Sequence, residues 1–207
     1  MNPPLTIIFT GHSGSGKGTQ TELLKAYLNE HAADFASAPV FHLESGARFR
    51  EFIKGDSYSA ELSNDIYKSN SLQPEFLSVW VWSDLLVANL KGNEHLIFDG
   101  VPRRYAEADV LASALDFYKR EKVFCINIEI SAETSLKRLR ARGRSDDKTD
   151  ADIEKRSAWF ETEVVPVINY YKTNPRYAYV AVDGEKSPEE VHAAIMKALG
   201  LGSGLAV

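Results

Sequence analysis

A glycine-rich segment near the start of the chain constrains the fold more than any other feature. It follows the apolar stretch Leu5–Thr10, reads Gly-His-Ser-Gly-Ser-Gly-Lys-Gly-Thr over residues 11–19, and leads into a helical pattern over Lys17–Glu30. Strand, glycine-rich turn and helix in this order are typical of a phosphate-binding loop, in which backbone N–H groups and a helix N-terminus surround an anion. We therefore expect this loop to hold nucleotide phosphates, with Lys17 reaching the β- and γ-groups.

The rest of the chain alternates apolar, β-branched stretches with helical patterns, which indicates βαβ units and a parallel sheet. The predicted strands are Leu5–Thr10, Pro39–Leu43, His95–Phe98, Val123–Ile130 and Tyr177–Val182. The predicted helices are Lys17–Glu30, Pro74–Leu90, Arg104–Tyr118, Ala132–Arg142, Asp150–Asn174 and Pro188–Leu199. Pro166 falls inside the longest of them and should kink or break it, because proline lacks a backbone N–H. A chain of 207 residues with this pattern fits one α/β domain.

Two polar segments fit the alternation less well and are candidates for mobile lids. Residues 44–73 are predicted to form short polar helices between strands, and residues 142–150 contain a polar turn within an arginine cluster. On a chain of net charge −5, the arginines between Arg138 and Arg144 indicate either a small anionic ligand or a solvated helix face.

Composition argues against several other classes of protein. No apolar run approaches the roughly 20 residues of a membrane span, and the first ten residues lack the basic region of a signal peptide. The negative net charge argues against sequence-independent nucleic-acid binding. The single cysteine, Cys125, excludes an intrachain disulfide and a cysteine-based zinc site. We therefore expect a soluble, cytoplasmic protein that binds neither nucleic acid nor membrane.

The predicted strand His95–Phe98 ends at a carboxylate, Asp99. In proteins with a phosphate-binding loop, a carboxylate at such a strand end holds the metal of the nucleotide, directly or through water. We expect Asp99 to contact Mg²⁺ through water. Gly18 stands where the strict loop pattern has Ser or Thr, and Thr19 follows one residue later, which speaks against direct ligation of the metal by a hydroxyl.

Five segments, taken in order along the chain, carry a resemblance to a known family. They are Gly-Ser-Gly-Lys-Gly-Thr-Gln at 14–20, Ser-Gly-Ala-Arg-Phe-Arg at 45–50, Asp-Gly-Val-Pro-Arg at 99–103, Gly-Arg-Ser-Asp-Asp at 143–147 with Arg156 beyond it, and Val-Asp-Gly-Glu-Lys at 182–186. Together they resemble the motifs of the adenylate kinase family of P-loop nucleoside monophosphate kinases, in the variant with a short lid.

The resemblance implies a five-stranded parallel sheet flanked by helices and a reaction in which ATP phosphorylates AMP. The core would comprise 1–43, 74–141 and 151–207, the acceptor-binding lid 44–73, and the short ATP lid 142–150. It further implies Mg²⁺ carried with ATP, no zinc, and a monomer whose partners are ATP and a nucleoside monophosphate.

The resemblance also assigns site residues, each by its position in a motif. Catalysis would fall to Lys17, Arg103, Arg142, Arg144 and Arg156. ATP would contact Gly14, Ser15, Gly16, Lys17, Gly18, Thr19, Arg142, Gly184 and Lys186. The acceptor would contact Ser45, Gly46, Arg50, Ser71, Leu72, Gln73, Gly100, Arg103, Glu107, Arg144 and Arg156. Asp146 and Asp147 would orient the lid arginines, whereas Arg140 is open between phosphate contact and a solvated helix face.

The identity of the acceptor base is the weakest point of this interpretation. Glu107 replaces the adenine-reading Gln of the family, Gln73 replaces a Val near the base, and Ala47 replaces an Asp for which the sequence offers no physical account. Ser45 keeps the hydroxyl of enzymes that use AMP. An ionised Glu only accepts hydrogen bonds, which suits the N1–H and amino edge of guanine better than adenine.

Several alternatives therefore stay open. The chain could phosphorylate GMP, CMP or UMP, hydrolyse nucleotide as a P-loop switch or ATPase, or bind nucleotide without catalysis. Glu107 itself could be a carboxylate on a solvent-facing helix.

Overall fold

The computed structural model describes residues 2–143 and 149–202. Five parallel strands form one sheet in the order β2-β3-β1-β4-β5. The strands are β1 Thr6–Thr10, β2 Val40–Glu44, β3 His95–Asp99, β4 Val123–Glu129 and β5 Tyr177–Asp183. Each lies within about one residue of a predicted strand, so the predicted α/β class and parallel sheet are confirmed.

Helices cover both faces of this sheet and carry the connections between its strands. They are α1 Lys17–Glu30, α2 Ser45–Phe52, α3 Tyr58–Lys68, α4 Glu75–Asn89, α5 Tyr105–Phe117, α6 Ala132–Arg142, α7 Asp150–Trp159, α8 Val165–Thr173 and α9 Pro188–Leu199. Local signals explain several boundaries; α9 begins with a capping box in which Ser187 and Glu190 satisfy each other's backbone N–H groups. Within the described ranges, no helix is both long and apolar enough to span a membrane.

The predicted helix over Asp150–Asn174 is interrupted close to Pro166, as expected, and forms three parts. A π-helical turn over Phe160–Val164 separates α7 from α8, and the N–H of Val165 donates to the carbonyl of Phe160. The wider turn lies directly before Pro166, whose missing N–H and ring disfavour a continuous α-helix. It places the Phe160 ring 3.7 Å, centroid to centroid, from the ring of His12 in the glycine-rich loop.

The hydrophobic core lies on both faces of the sheet. Ile7 and Phe9 of β1 pack with α1 and α9 on one face, whereas Ile8 packs with α4, α5 and α8 on the other. Burial on both faces explains why the strands read as continuous apolar runs and not as alternating ones. The connection from β1 to β2 and the connection from β3 to β4 run in opposite directions across the sheet. This reversal opens a crevice at the carboxyl ends of β1 and β3.

Candidate active site

The glycine-rich loop lies between the end of β1 and the start of α1. Gly11 has a φ of 130°, and a Cβ at this position would lie 2.4 Å from the carbonyl oxygen of Ile128. Only glycine fits such a close approach of two backbones. The loop therefore folds tightly against the end of β4. Glycine-rich turns of this kind can form an anion-binding nest of backbone N–H groups.

Lys17, the first residue of α1, reaches back over this loop. Its Nζ donates to the carbonyl oxygens of Gly11 and His12, each at 2.8 Å. Burial lowers the pKa of Lys17 to about 8, and the nearby Asp99 carboxylate opposes that shift. The ammonium is thus held over the loop, where an anion would stabilise its charge.

A cavity of about 840 Å³ extends from the loop along the crevice. Every site residue expected from the sequence lines it, except Arg144, which lies outside the described residues together with Asp146 and Asp147. The residues brought together are Gly14, Ser15, Gly16, Lys17, Gly18, Thr19, Ser45, Gly46, Arg50, Ser71, Leu72, Gln73, Asp99, Gly100, Arg103, Glu107, Arg142, Arg156, Gly184 and Lys186.

The turn after β3 holds one arginine in a defined orientation. The carbonyl of Gly100 accepts hydrogen bonds from Arg103 Nε at 3.0 Å and from Ser45 Oγ at 3.1 Å. Gly100 has a φ of 72°, and a Cβ there would lie 3.3 Å from Arg103 Nη2. The guanidinium carbon of Arg103 lies 5.6 Å from the ring centroid of Trp159 in α7. Backbone and aromatic ring together fix a cation at the cavity wall.

A second arginine enters the cavity from α2. Arg50 Nη2 lies 2.9 Å from Oε1 of Glu44, which ends β2 and pairs in register with Asp99 of β3. An acceptor phosphate at this place would share Arg50 with Glu44, so the carboxylate orients the guanidinium and also adds negative charge near the phosphate.

The opposite end of the cavity is closed by an arginine that sequence analysis placed only within a cluster. Arg138 Nη2 donates to the carbonyl of Gly184 at 2.8 Å and Nη1 to that of Gly14 at 3.4 Å. It thereby joins the glycine-rich loop to the turn after β5. Glu185 in the same turn accepts from Ser131 N and Thr134 Oγ1 at the start of α6, each at 2.6 Å.

The arginines farther along α6 differ in their surroundings. Arg142 lines the cavity. Arg140 forms two hydrogen bonds to Asp150, of 3.0 and 2.8 Å, and both side chains are more than half exposed. Of the two interpretations left open for Arg140, the structure therefore favours a surface helix residue.

The acceptor-side end of the cavity contains a buried carboxylate. Glu107 in the first turn of α5 is 3% exposed, and burial raises its pKa while Arg103 and Arg104 oppose the rise. This excludes the alternative of a carboxylate on a solvent-facing helix. Gln73 also lines the cavity, but both polar atoms of its amide bond to Ser63 of α3, its Oε1 accepting from Ser63 Oγ and its Nε2 donating to the Ser63 carbonyl, each at 2.9 Å.

The lining residues that no motif identifies include Asn70, Trp159 and Arg138. Asn70 and Arg138 form hydrogen bonds with residues 46 to 124 positions away in the chain. Trp159 joins α7 to the turn after β3. The arginine cluster was a partial signal for Arg138. For Asn70 and Trp159 the sequence carries no local signal.

Comparison with known proteins agrees with this geometry. The profile of the family described as "Adenylate kinase" matches residues 9–176. An adenylate kinase of Parabacteroides distasonis is 27% identical over 198 residues, covering 94% of this chain and 97% of the relative. Adenylate kinase isoenzyme 1 of Caenorhabditis elegans is 30% identical over 187 residues, covering 90% and 83%. An adenylate kinase of Flavobacterium psychrophilum is 28% identical over 194 residues, covering 90% and 94%.

The family profile covers β2, β3 and β4, the glycine-rich loop, helix α2 with Arg50, the turn with Arg103, and α7. The relatives align over nearly their whole length, so the agreement is not confined to the phosphate loop that many unrelated folds share. This chain therefore belongs to the adenylate kinase family and is a phosphotransferase.

Proposed function

We propose that this chain transfers the γ-phosphoryl group of ATP to AMP and forms two molecules of ADP. The observation that carries the proposal is that the glycine-rich loop with Lys17 lines the same cavity as Arg50 and Arg103, and that Lys17 lies close enough to Arg103 for their charges to interact. A donor phosphate on the loop and an acceptor phosphate on the two arginines would be brought together in this cavity, and in-line approach of the two is the geometry that phosphoryl transfer requires.

The chemistry needs positive charge more than it needs a base. A nucleoside monophosphate carries a charge of about −1.5 to −2 at neutral pH, so its phosphate oxygen attacks without losing a proton. Bringing this anion to ATP is the main barrier, and cations that line the cavity lower it by stabilising the equatorial oxygens of the transferred group. The lining cations are Lys17, Arg50, Arg103, Arg138, Arg142, Arg156 and Lys186.

We assign the ATP end to the loop and its neighbours. Backbone N–H groups of residues 14–19 would surround the phosphates, Lys17 would reach the β- and γ-groups, and Arg142 would approach from α6. Gly184 and Lys186 after β5 would lie beside the base. Arg138 already joins these two regions and would hold them at a fixed separation.

We assign the acceptor end to the elements on the other side of the crevice. Arg50 and Arg103 would clamp the phosphate with their planar forks. Ser45, Gly46, Ser71, Leu72, Gly100 and Glu107 would enclose the nucleoside, Gln73 would contribute its backbone and methylene groups, and Arg156 would approach the transferred group. Arg144, outside the described residues, keeps its assignment by motif. In this scheme residues 44–73 and 142–150 act as lids on the core.

Asp99 is the residue that would hold magnesium. It lies at the end of β3 beside the glycine-rich loop; its Oδ2 is 3.8 Å from a Cβ built on Gly18. Burial raises the pKa of Asp99, while the Lys17 ammonium opposes the rise. A carboxylate beside the triphosphate site gives the hard oxygen donor that Mg²⁺ prefers, and the ion would neutralise charge on the β- and γ-phosphates.

Glu107 supports a second candidate, phosphorylation of GMP. An ionised carboxylate buried at the acceptor end would accept hydrogen bonds from the N1–H and amino group of guanine. AMP remains the first choice because the named relatives are adenylate kinases and because Ser45 keeps its hydroxyl.

The test is the formation of ADP from ATP, AMP and Mg²⁺ by the purified protein, with Lys17→Met as the impaired variant. Removal of a positioned charge of this kind should lower kcat by about 10²- to 10³-fold. Lys197→Met, an exposed lysine of α9, is the matched control and should keep full activity. Release of phosphate from ATP without dependence on AMP would support hydrolysis instead.

We further propose that the chain acts as a cytoplasmic monomer without nucleic-acid or membrane partners. The cavity described above is formed by residues of one chain, so no second subunit is needed to complete it. Elution of the active enzyme at the mass of a dimer would contradict the proposal.

A further inference from the structure

A polar contact joins the segment after α3 to α7, although the two are more than 80 residues apart. Asn70 Nδ2 donates to Asp152 Oδ1 at 2.8 Å, and Arg156 Nη2 donates to Asn70 Oδ1 at 3.3 Å. Beside it, Lys155 Nζ donates to the carbonyl of Ser69. We call these three contacts the α3–α7 clasp.

The amide of Asn70 uses both of its ends in the clasp. A carboxylate only accepts and a guanidinium only donates, so these partners determine which end of the amide faces which. Asp152 is itself fixed, because its Oδ2 accepts from the N–H of Thr149 at 3.1 Å and from the Thr149 hydroxyl at 2.7 Å in the capping box of α7. Asn70 therefore connects Arg156 to an anchored group.

The backbone conformation of Asn70 is compatible with these contacts. Its φ of 51° lies in the left-handed region, where Asn is among the few non-glycine residues that are tolerated. The turn directs the amide away from α3 and across to α7. Asn70 and Arg156 both line the cavity, so the contact is made at the wall of the candidate site and not on a remote surface.

We propose that Asn70 is a positioning residue for Arg156, through which closure of the acceptor-side segment orients that guanidinium for phosphoryl transfer. The inference rests on the proposed function, which places Arg156 at the transferred group. A free arginine side chain has about 2 kcal/mol of rotamer entropy to lose, and orienting it before the transition state removes part of that cost. Because Asn70 belongs to the 44–73 segment, the orientation depends on that segment lying against α7.

The first variant is Asn70→Gly, which keeps the left-handed backbone available and removes the amide. Loss of a hydrogen bond to a charged group should lower kcat/KM for AMP by about tenfold to a hundredfold, mainly through kcat, with little change in Tm. Lys155→Met is the matched control, since it removes a neighbouring contact of the same clasp without touching Arg156, and should change kcat less than about threefold.

Exchanging the carboxylate and the amide between positions 70 and 152 should restore kcat, which a merely structural role of Asn70 does not predict. Asn70→Asp alone sets two carboxylates against each other and should be worse than Asn70→Gly. Combining it with Asp152→Asn restores a carboxylate that accepts from Arg156 and an amide that donates to it, so much of the kcat should return. In an Arg156→Lys background, Asn70→Gly should cost less than about twofold, because the group it positions is already changed.

Wild-type activity is measured first, so that the two claims are tested separately. If the wild type forms no ADP from ATP and AMP, the proposed function fails. If the wild type is active but Asn70→Gly retains its kcat, the positioning role is wrong. The positioning role is also wrong if Lys155→Met lowers kcat as much as Asn70→Gly does and if the effects of Asn70→Gly and Arg156→Lys on kcat are additive.

Discussion

Replacing Glu107 by Gln is the perturbation whose consequences the structure defines most closely. Burial raises the pKa of this carboxyl, Arg103 and Arg104 oppose the rise, and Glu75 of α4 contributes to it. Tyr171 of α8 also lies within electrostatic range. The carboxyl therefore keeps its proton to a higher pH than an exposed Glu, and its hydrogen-bonding ability changes with pH.

The two forms of Glu107 suit different bases. A protonated carboxyl has one donor and one acceptor, like an amide, and can serve the ring nitrogen and amino group of adenine together. The ionised form only accepts, so the adenine ring nitrogen is left unpaired in a buried site, which costs about 1–3 kcal/mol. Above the raised pKa, kcat/KM for AMP should thus be about 5- to 150-fold lower in the wild type than in Glu107→Gln.

The assay is kcat/KM for AMP and for GMP, measured across the pH range in which the enzyme stays folded. The kcat/KM of the wild type for AMP should fall below that of Glu107→Gln as pH rises through the pKa of Glu107. At low pH the two values should become similar. Relative activity with GMP should change in the opposite direction. Glu121→Gln, an exposed carboxylate at the other end of the sheet, is the control. Superimposable profiles of the wild type and Glu107→Gln for both acceptors would show that Glu107 does not contact the base.

The same shift has a consequence for stability that does not depend on catalysis. Because the folded-state pKa of Glu107 lies above its unfolded value, its favourable contribution is complete below the unfolded pKa and is lost as pH rises through the folded pKa. Glu107→Gln should therefore be more stable than the wild type at neutral pH, and this gain should vanish near and below pH 4.5. Urea midpoints at both pH values measure it; a gain independent of pH would contradict the assignment.

Three further variants or probes test other parts of the site and core. Arg103→Lys loses the planar contact with Gly100 and Trp159, so kcat/KM for AMP should fall by about 10²-fold while KM for ATP changes little, as steady-state kinetics would show. Gly11→Ala places a Cβ 2.4 Å from a carbonyl oxygen and should lower the free energy of unfolding by about 2 kcal/mol or more in urea titrations. Cys125 is buried, which raises the pKa of its thiol, so a thiol reagent should label it only on unfolding; rapid labelling of the native enzyme would contradict its placement.

Much of the fold follows from local patterns that act independently of tertiary contacts. The strand–loop–helix arrangement around Lys17 and the helix over Pro188–Leu199 are both found where the sequence predicts them. The helix over Asp150–Asn174 is the instructive difference. The sequence indicates a disturbance at Pro166, but it gives no sign of the π-helical turn before it or of the packing of Phe160 against His12, a contact between distant segments.

The residues of the candidate site also fall into two groups, those that motifs identify and those that only tertiary contacts reveal. Motif residues converge on the cavity because they lie at strand ends and in the loops that follow them, where parallel strands bring their carboxyl ends together. Gln73 shows what a motif position cannot give, since its amide is satisfied by Ser63 in a helix that packs beside it. The role of Asn70 also depends on a partner 82 residues away, so no local spacing identifies it.

The most direct test of the central claim is a comparison of nucleoside monophosphates as acceptors. The purified protein would be incubated with ATP, Mg²⁺ and AMP, GMP, CMP, UMP or a deoxyribonucleotide counterpart, and diphosphate formation followed for each. We expect AMP to give by far the highest kcat/KM and ADP to form from both substrates. A higher value for another base would mean that the pocket around Glu107 reads that base, and no transfer to any acceptor would contradict the assignment of this chain as a nucleoside monophosphate kinase.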